Sequence, residues 1–138
     1  MLNVIVERKT RFTKITKLKR RTARNTRCAI TKILSHYPAM VRRTITYDNG
    51  KENVEHRQTN AALGTKSFFC EPFHSWEKGT VENTVGLVRR TFPKKTDFDL
   101  VTTAEVKRLE RRLNNRPRKS LHFKTPEEVF KQTVALAH

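Results

Sequence analysis

Apolar positions along the chain change period several times, and each change marks an element. Leu2 to Glu7 is a short apolar, β-branched run that reads as a strand buried on both faces. Arg8 to Arg11 reads as a tight connection, and the alternation from Phe12 to Leu18 predicts a second strand. Thr22 can cap a helix whose stripe is Ala29, Ile30, Ile33, Leu34 and Tyr37, closed by Pro38. Thr44 to Tyr47 predicts a third strand, stopped by Asp48-Asn49-Gly50. Val54 to Leu63 reads as a short helix ended by Gly64, and Ser67 to Cys70 as a fourth, aromatic strand.

Glu71 to Gly79 reads as a loop carrying Pro72, Phe73, His74 and Trp76. Thr80 then caps a helix whose buried stripe is Val81, Val85, Val88 and Phe92, closed by Pro93. Two capping boxes follow. Thr102 to Glu105 opens a helix burying Val106, Leu109 and Leu113, which ends before Pro117. Thr125 to Glu128 opens another with Val129, Phe130 and Val134 on its apolar face. This order predicts a mixed α/β fold, a central sheet with helices packed on it.

Composition adds the partner. The 138 residues amount to about one domain, with 30 Lys+Arg against 13 Asp+Glu and a net charge of +17. Such an excess favours a polyanion. No run approaches the ~20 apolar residues that span a bilayer, and Met1 to Glu7 is too short and too soon acidic for a signal peptide, so a cytoplasmic protein without a membrane partner is expected. Cys28 and Cys70 are isolated, which predicts reduced, packing cysteines rather than a zinc site.

Carboxylates are scarce, so their placement is informative. Asp48 falls just past a strand end and Glu82 in the first turn of a helix. Phosphoryl-transfer sites use such acids to hold Mg²⁺ ions about 3.5–4 Å apart. Each also has an ordinary reading: Asp-Asn-Gly is turn chemistry, and an acid complements a helix amino terminus. Gly86 lies one turn after Glu82, where close approach of a partner or of a neighbouring strand would account for it. Arg89 and Arg90 follow, giving either a phosphate-facing strip or a solvated basic face.

The ordered blocks Tyr47 to Glu52, Lys78 to Asn83, Gly86 to Arg89, Phe92 to Phe98, Leu113 to Lys119 and Lys124 to Phe130 make the comparison specific. Together they resemble the bacterial insertion-sequence transposases of the family numbered thirty. These are DDE transposases with a ribonuclease H-like, retroviral-integrase-type catalytic core. The resemblance implies that residues 1–138 are this core, truncated at its amino end and lacking its first strand, with 103–138 a helical carboxy-terminal extension. It implies Asp48 and Glu82 as catalytic, metal-holding acids for Mg²⁺ or Mn²⁺, with the family's first acid upstream. Glu7 resembles the family's structural Glu-Arg instead.

It further implies strand cleavage that frees a 3′-hydroxyl, and attack of that hydroxyl on target DNA. DNA is the expected partner, with a homo-oligomer or a mixed oligomer with full-length transposase, at the bacterial nucleoid. Lys78, Arg89, Arg90, Lys94, Lys95, Arg116, Arg118 and Lys119 are the expected DNA contacts. Tyr47, Lys78 and Val81 stand where the family usually has Ser, Arg and Asn, and Lys lacks the bidentate fork of Arg. The alternative is a non-catalytic, basic DNA-binding remnant, inert or interfering with a full-length transposase.

Overall fold

In the computed structural model, residues 1–47, 51–69 and 79–136 are described. Asp48, Cys70, Pro72, Phe73, His74, Trp76 and Lys78, and the side chains of Thr80 and Val81, lie outside the described set.

β1 (Leu2–Val6) and β2 (Thr13–Lys17) form an antiparallel hairpin in which Val4 faces Ile15. Its connection is closed by Glu7 N donating to Phe12 O at 2.8 Å and Arg11 N to Glu7 O at 2.8 Å. The Glu7 carboxylate accepts from the amides of Lys9 (3.2 Å) and Thr10 (2.7 Å), so this acid organises its own turn. Arg11 sits at φ 64°, a left-handed conformation that costs an L-residue with a side chain about 1–2 kcal/mol.

The hairpin edges follow from the ladder's alternation. Leu18 N donates to Met1 O at 2.8 Å, so odd positions of β1 face β2. Leu2, Val4 and Val6 therefore turn their N–H and C=O groups to the outer edge of β1, where their amides meet no partner among the described residues. All five β1 residues are half-buried rather than buried on both faces, because nothing described lies along that edge.

α1 (Ala23–Leu34) begins where expected, with Thr22 accepting from Asn25 N at 3.1 Å. It ends at Leu34, before Tyr37, which instead packs edge-on against Phe12 and Phe130. Cys28, expected to pack, is exposed on α1. β3 (Thr44–Tyr47) and β4 (Lys66–Phe69) pair in parallel, connected by a 3₁₀ turn at Lys51–Asn53 and α2 (His56–Leu63). Gly64 ends α2 at φ 68°, a conformation that favours glycine.

α3 (Gly79–Thr91) starts one residue before the Thr80 expected to cap it. α4 (Thr103–Asn114) and α5 (Pro126–Leu136) carry both predicted capping boxes: Glu105 N donates to Thr102 Oγ1 and Glu128 N to Thr125 Oγ1.

The main core lies between the hairpin and α3 and α4. Ile15, Val88, Phe92, Val101, Val106, Leu109 and Leu113 fill it, with Leu2 and Val4 packed against them. A smaller core joins Ile30, Tyr47 and Leu63, with Ile5, Leu34 and Ile45 at its margin. Antiparallel and parallel pairings are both present, in two separate two-stranded sheets, and α1 packs on side chains from both.

Candidate active site and phosphate-contacting surface

Because β3 and β4 run parallel, both end at the same edge of their sheet. Tyr47 closes β3 immediately before Asp48, and Phe69 closes β4. An open cleft of about 560 Å³ lies there, lined by Lys51, Asn53, Val54, His56, Arg57, Gln58 and Phe69. Open α/β sheets bind ligands at strand carboxyl ends, and the described end of β3 at Tyr47 lies at that edge.

His56 braces the cleft: its Nδ1 lies 2.9 Å from Ser67 Oγ, and its ring meets Phe69 edge-on at 4.8 Å. Asn60 Nδ2 donates to the same Ser67 hydroxyl at 2.7 Å. Tyr47 is buried beneath, its hydroxyl without a well-formed hydrogen bond. Burial pushes this phenol up from its ordinary range, offset in part by the Thr59 side chain.

Most described carboxylates are committed to holding the fold. Glu52 pairs with Arg21, two residues before α1, and Glu55 with Arg27 of α1 at 3.1 Å, so both fasten the connection after β3 to the first turns of α1 and the residues leading into it. Glu110 is buried between α4 and β2, Glu127 pairs with Lys131, and Glu7, Asp97, Glu105 and Glu128 accept hydrogen bonds in turns and caps. Glu82 and Asp99 are the described acids whose carboxylates have no partner among the described residues.

Glu82 is exposed in the first turn of α3. At 100° per residue, Gly86 and Arg89 fall on the same strip as Glu82, with Arg90 at its margin, opposite the buried Val88. A Cβ built on Gly86 would meet nothing within 4 Å, so no neighbouring strand accounts for this mid-helix glycine. Among the described residues, no group of three or more His, Cys, Asp or Glu side chains is arranged to hold a metal ion.

The expected DNA contacts fall into two groups. Arg89, Arg90, Lys94 and Lys95 are exposed at the end of α3 and the turn after it. Arg112, unmarked by any motif, reaches that end, its Nη2 donating to Thr91 Oγ1 at 2.6 Å. Arg116, Arg118 and Lys119 belong to the loop between α4 and α5, with Arg116 and Lys119 exposed and Arg118 half-buried. Of the lining cations, Lys51 lies inside the Tyr47 to Glu52 block but is not marked there as a site residue, and Arg57 lies outside every block; the parallel strand pairing is what puts both at the strand ends.

No protein-family model matches the chain. It is 40% identical over 132 residues to the transposase InsI for insertion sequence element IS30A of Escherichia coli (strain K12), covering 96% of this chain and 34% of that protein. It is 52% identical over 91 residues to the transposase for insertion sequence element IS4351 of Bacteroides fragilis, covering 66% of this chain and 28% of that protein. The chain thus spans about a third of the length of the curated relatives it matches. In structure it is similar to the catalytic core domain of BIV integrase, with a TM-score of 0.74 and 20% identity over 96% of this chain and 86% of that one. No described helix is long and apolar enough to cross a membrane. The chain belongs to the IS30 family of insertion-sequence transposases and has the fold of the retroviral integrase catalytic core.

Proposed function

We propose that this chain is the catalytic-core part of a DDE transposase, acting in metal-dependent DNA strand cleavage and strand transfer, with Asp48 and Glu82 as its metal-holding acids. The observation that carries the reading is Glu82. In a chain with 30 Lys and Arg residues, its carboxylate is exposed and paired with none of those described. A structural acid in such surroundings would be expected to collect a cation, as Glu52 and Glu55 do.

A free carboxylate is the hard oxygen donor that Mg²⁺ or Mn²⁺ requires. Such an ion, when bound, supplies charge stabilisation at the reacting phosphate. The protein's own part is to bind and orient DNA. Gly86 leaves α3 smooth beside Glu82, and the exposed Arg89, Arg90, Lys94 and Lys95 would hold backbone phosphates, together with Lys78 as the family resemblance implies. Assembly with further copies, or with a longer transposase, would bring two DNA ends together.

The test is calorimetry of Mg²⁺ and Mn²⁺ binding, run with a cleavage assay on labelled duplex carrying the element's ends. Glu82→Gln is expected to weaken metal binding at least about tenfold, since loss of even an outer-shell partner of a metal ligand costs that much. Unchanged affinity would remove Glu82 from the site.

A second reading, a DNA-binding remnant without catalysis, is favoured by one observation. Glu7, Glu52 and Glu55 are engaged in the turn and in ion pairs, so none of them stands free as a third acid. On this reading the chain binds DNA in a salt-sensitive way and leaves it uncut. Robust cleavage abolished by Asp48→Asn would sink it.

A further inference from the structure

Arg11 is about a hundred positions from Arg116 and Arg118 in sequence, but the fold brings its turn beside their loop. Asn114 clamps the start of β2, with Thr13 N donating to its Oδ1 and its Nδ2 donating to Thr13 O, both at 2.8 Å. Arg11 and Arg116 each lie two residues from this clamp. Thr13 Oγ1 also donates to Arg11 O at 3.0 Å, tying the end of the hairpin turn to the same point. On the other side, Phe12 stacks on Phe130 of α5 with centroids 4.2 Å apart. The carboxy end of the turn is therefore held by the last residue of α4 and by α5, the two helices that flank the α4–α5 loop.

Arg118 leaves that loop from a fixed backbone. Its N–H donates to Lys124 O at 3.0 Å, and its carbonyl accepts from Phe123 N at 2.8 Å. Its Nε is buried and has no hydrogen-bond partner among the described residues. No described carboxylate forms an ion pair with Arg116 or Arg118. Burial, followed by the Arg116 and Arg11 guanidiniums, pulls the Arg118 guanidinium below its ordinary range, although it stays charged.

Three unfavourable features thus meet in one place: a buried guanidinium nitrogen without an acceptor, mutual repulsion of like charges, and an arginine at φ 64° where Gly or Asn would be less strained. An anion with several acceptor oxygens, meeting the half-buried Arg118 side chain from solvent, relieves the repulsion. Phosphate matches the planar guanidinium fork better than a chloride or a single carbonyl does.

We propose that Arg11, Arg116 and Arg118 form one cradle for a DNA backbone phosphate, carried by the hairpin turn and the α4–α5 loop rather than by α3. The proposal rests on the reading of this chain as a DNA-acting domain. It adds a contact, Arg11, that no motif marks, and joins it to two loop arginines as a single site.

The test is fluorescence anisotropy of a short labelled duplex, titrated over a series of salt concentrations. Arg11→Asn keeps a residue that tolerates the left-handed conformation, and Arg116→Gln changes an exposed side chain; circular dichroism and the melting temperature of each variant are compared with the parent before binding is read. Each is expected to weaken binding about tenfold and to flatten the salt slope by about 0.9, one phosphate's worth. The double variant is expected to lose little more slope than either single one, since both serve the same phosphate. Arg24→Gln, an exposed α1 control, is expected to change affinity by roughly twofold, the scale of a screened charge.

Affinity and slope in Arg11→Asn equal to those of Arg24→Gln would overturn the cradle while leaving DNA binding standing. Slope losses that add in the double variant would replace it with two unrelated contacts. If inorganic phosphate raises the melting temperature of the parent protein alone while duplex binding is indifferent to the variants, the site takes free phosphate and the proposal falls. A parent protein that binds no duplex at any salt concentration would remove the DNA-acting reading and the cradle together.

Discussion

Glu110 and Glu82 are acids on neighbouring helices with opposite circumstances. Glu110 is 6% exposed, accepts the amide of Ile15 at 2.8 Å, and pairs with Lys14 and Lys107 at 3.4 Å. With Asn114 one turn later, it supplies hydrogen bonds to the outer edge of β2, which would otherwise be buried and unsatisfied. Glu82 stands exposed on α3 with no such work. The comparison teaches that charge and helix position do not distinguish a structural acid from a chemical one. What distinguishes them is whether the fold uses the oxygens.

The same contrast runs along the hairpin, because β2's edge is occupied by α4 side chains and β1's edge is open among the described residues. Proline scanning breaks or sharpens this directly, since proline removes an N–H. Ile15→Pro deletes an amide that Glu110 accepts and disturbs the core, and is expected to cost at least about 3 kcal/mol in urea unfolding. Val4→Pro deletes an amide that points to the open edge, and about 1 kcal/mol is expected. Equal losses would mean that the two edges are alike.

Glu110→Ala comes next. Removing a buried, paired carboxylate should cost about 3 kcal/mol and strand the Ile15 amide. Asn114→Ala, which leaves the N–H and C=O of Thr13 unmet, should cost about 2 kcal/mol by the same measurement. A loss below about 0.5 kcal/mol in either variant would show that water replaces the helix at this edge.

Tyr47→Phe is a smaller change. At neutral pH it should be neutral or stabilising by up to about 1 kcal/mol, because the lost hydroxyl lacks a good partner. The folded phenol titrates above its ordinary value of 10.0, so the neutral form is favoured in the folded state. Stability is therefore complete below pH 10.0 and is lost as pH rises through the folded value. Tyr47→Phe should be less sensitive to alkali than the parent in denaturation at high pH.

Glu82→Gln should give the smallest change in stability, within about 0.5 kcal/mol. A large destabilisation would move Glu82 into the class of Glu110 and remove the observation on which the functional reading rests.

Much of the fold was legible because its signals are local. The Thr22, Thr102 and Thr125 caps, the stop at Gly64, and the stripe of Val106, Leu109 and Leu113 act within a turn or two of chain. Where the reading departed, a distant contact decided. Tyr37 kept the spacing of the α1 stripe, yet aromatic packing against Phe12 and Phe130 placed it beyond the helix end. The β1 run carried the apolar content of a doubly buried strand, but burial depends on neighbours that its own sequence does not encode.

The candidate site divides in the same way. By itself the sequence determined the basic balance, the order of elements and the acids worth weighing, because composition, periodicity and motif order are properties of the chain. Only the tertiary structure decided which carboxylates are occupied, since hydrogen bonds and ion pairs form between elements far apart in sequence. It alone showed that a Cβ on Gly86 would meet nothing within 4 Å, that the Glu82 carboxylate has no partner among the described residues, and that the turn of Arg11 lies beside the helices flanking the loop of Arg116 and Arg118. Contacts across a hundred residues depend on how helices and strands pack, and no local pattern records them.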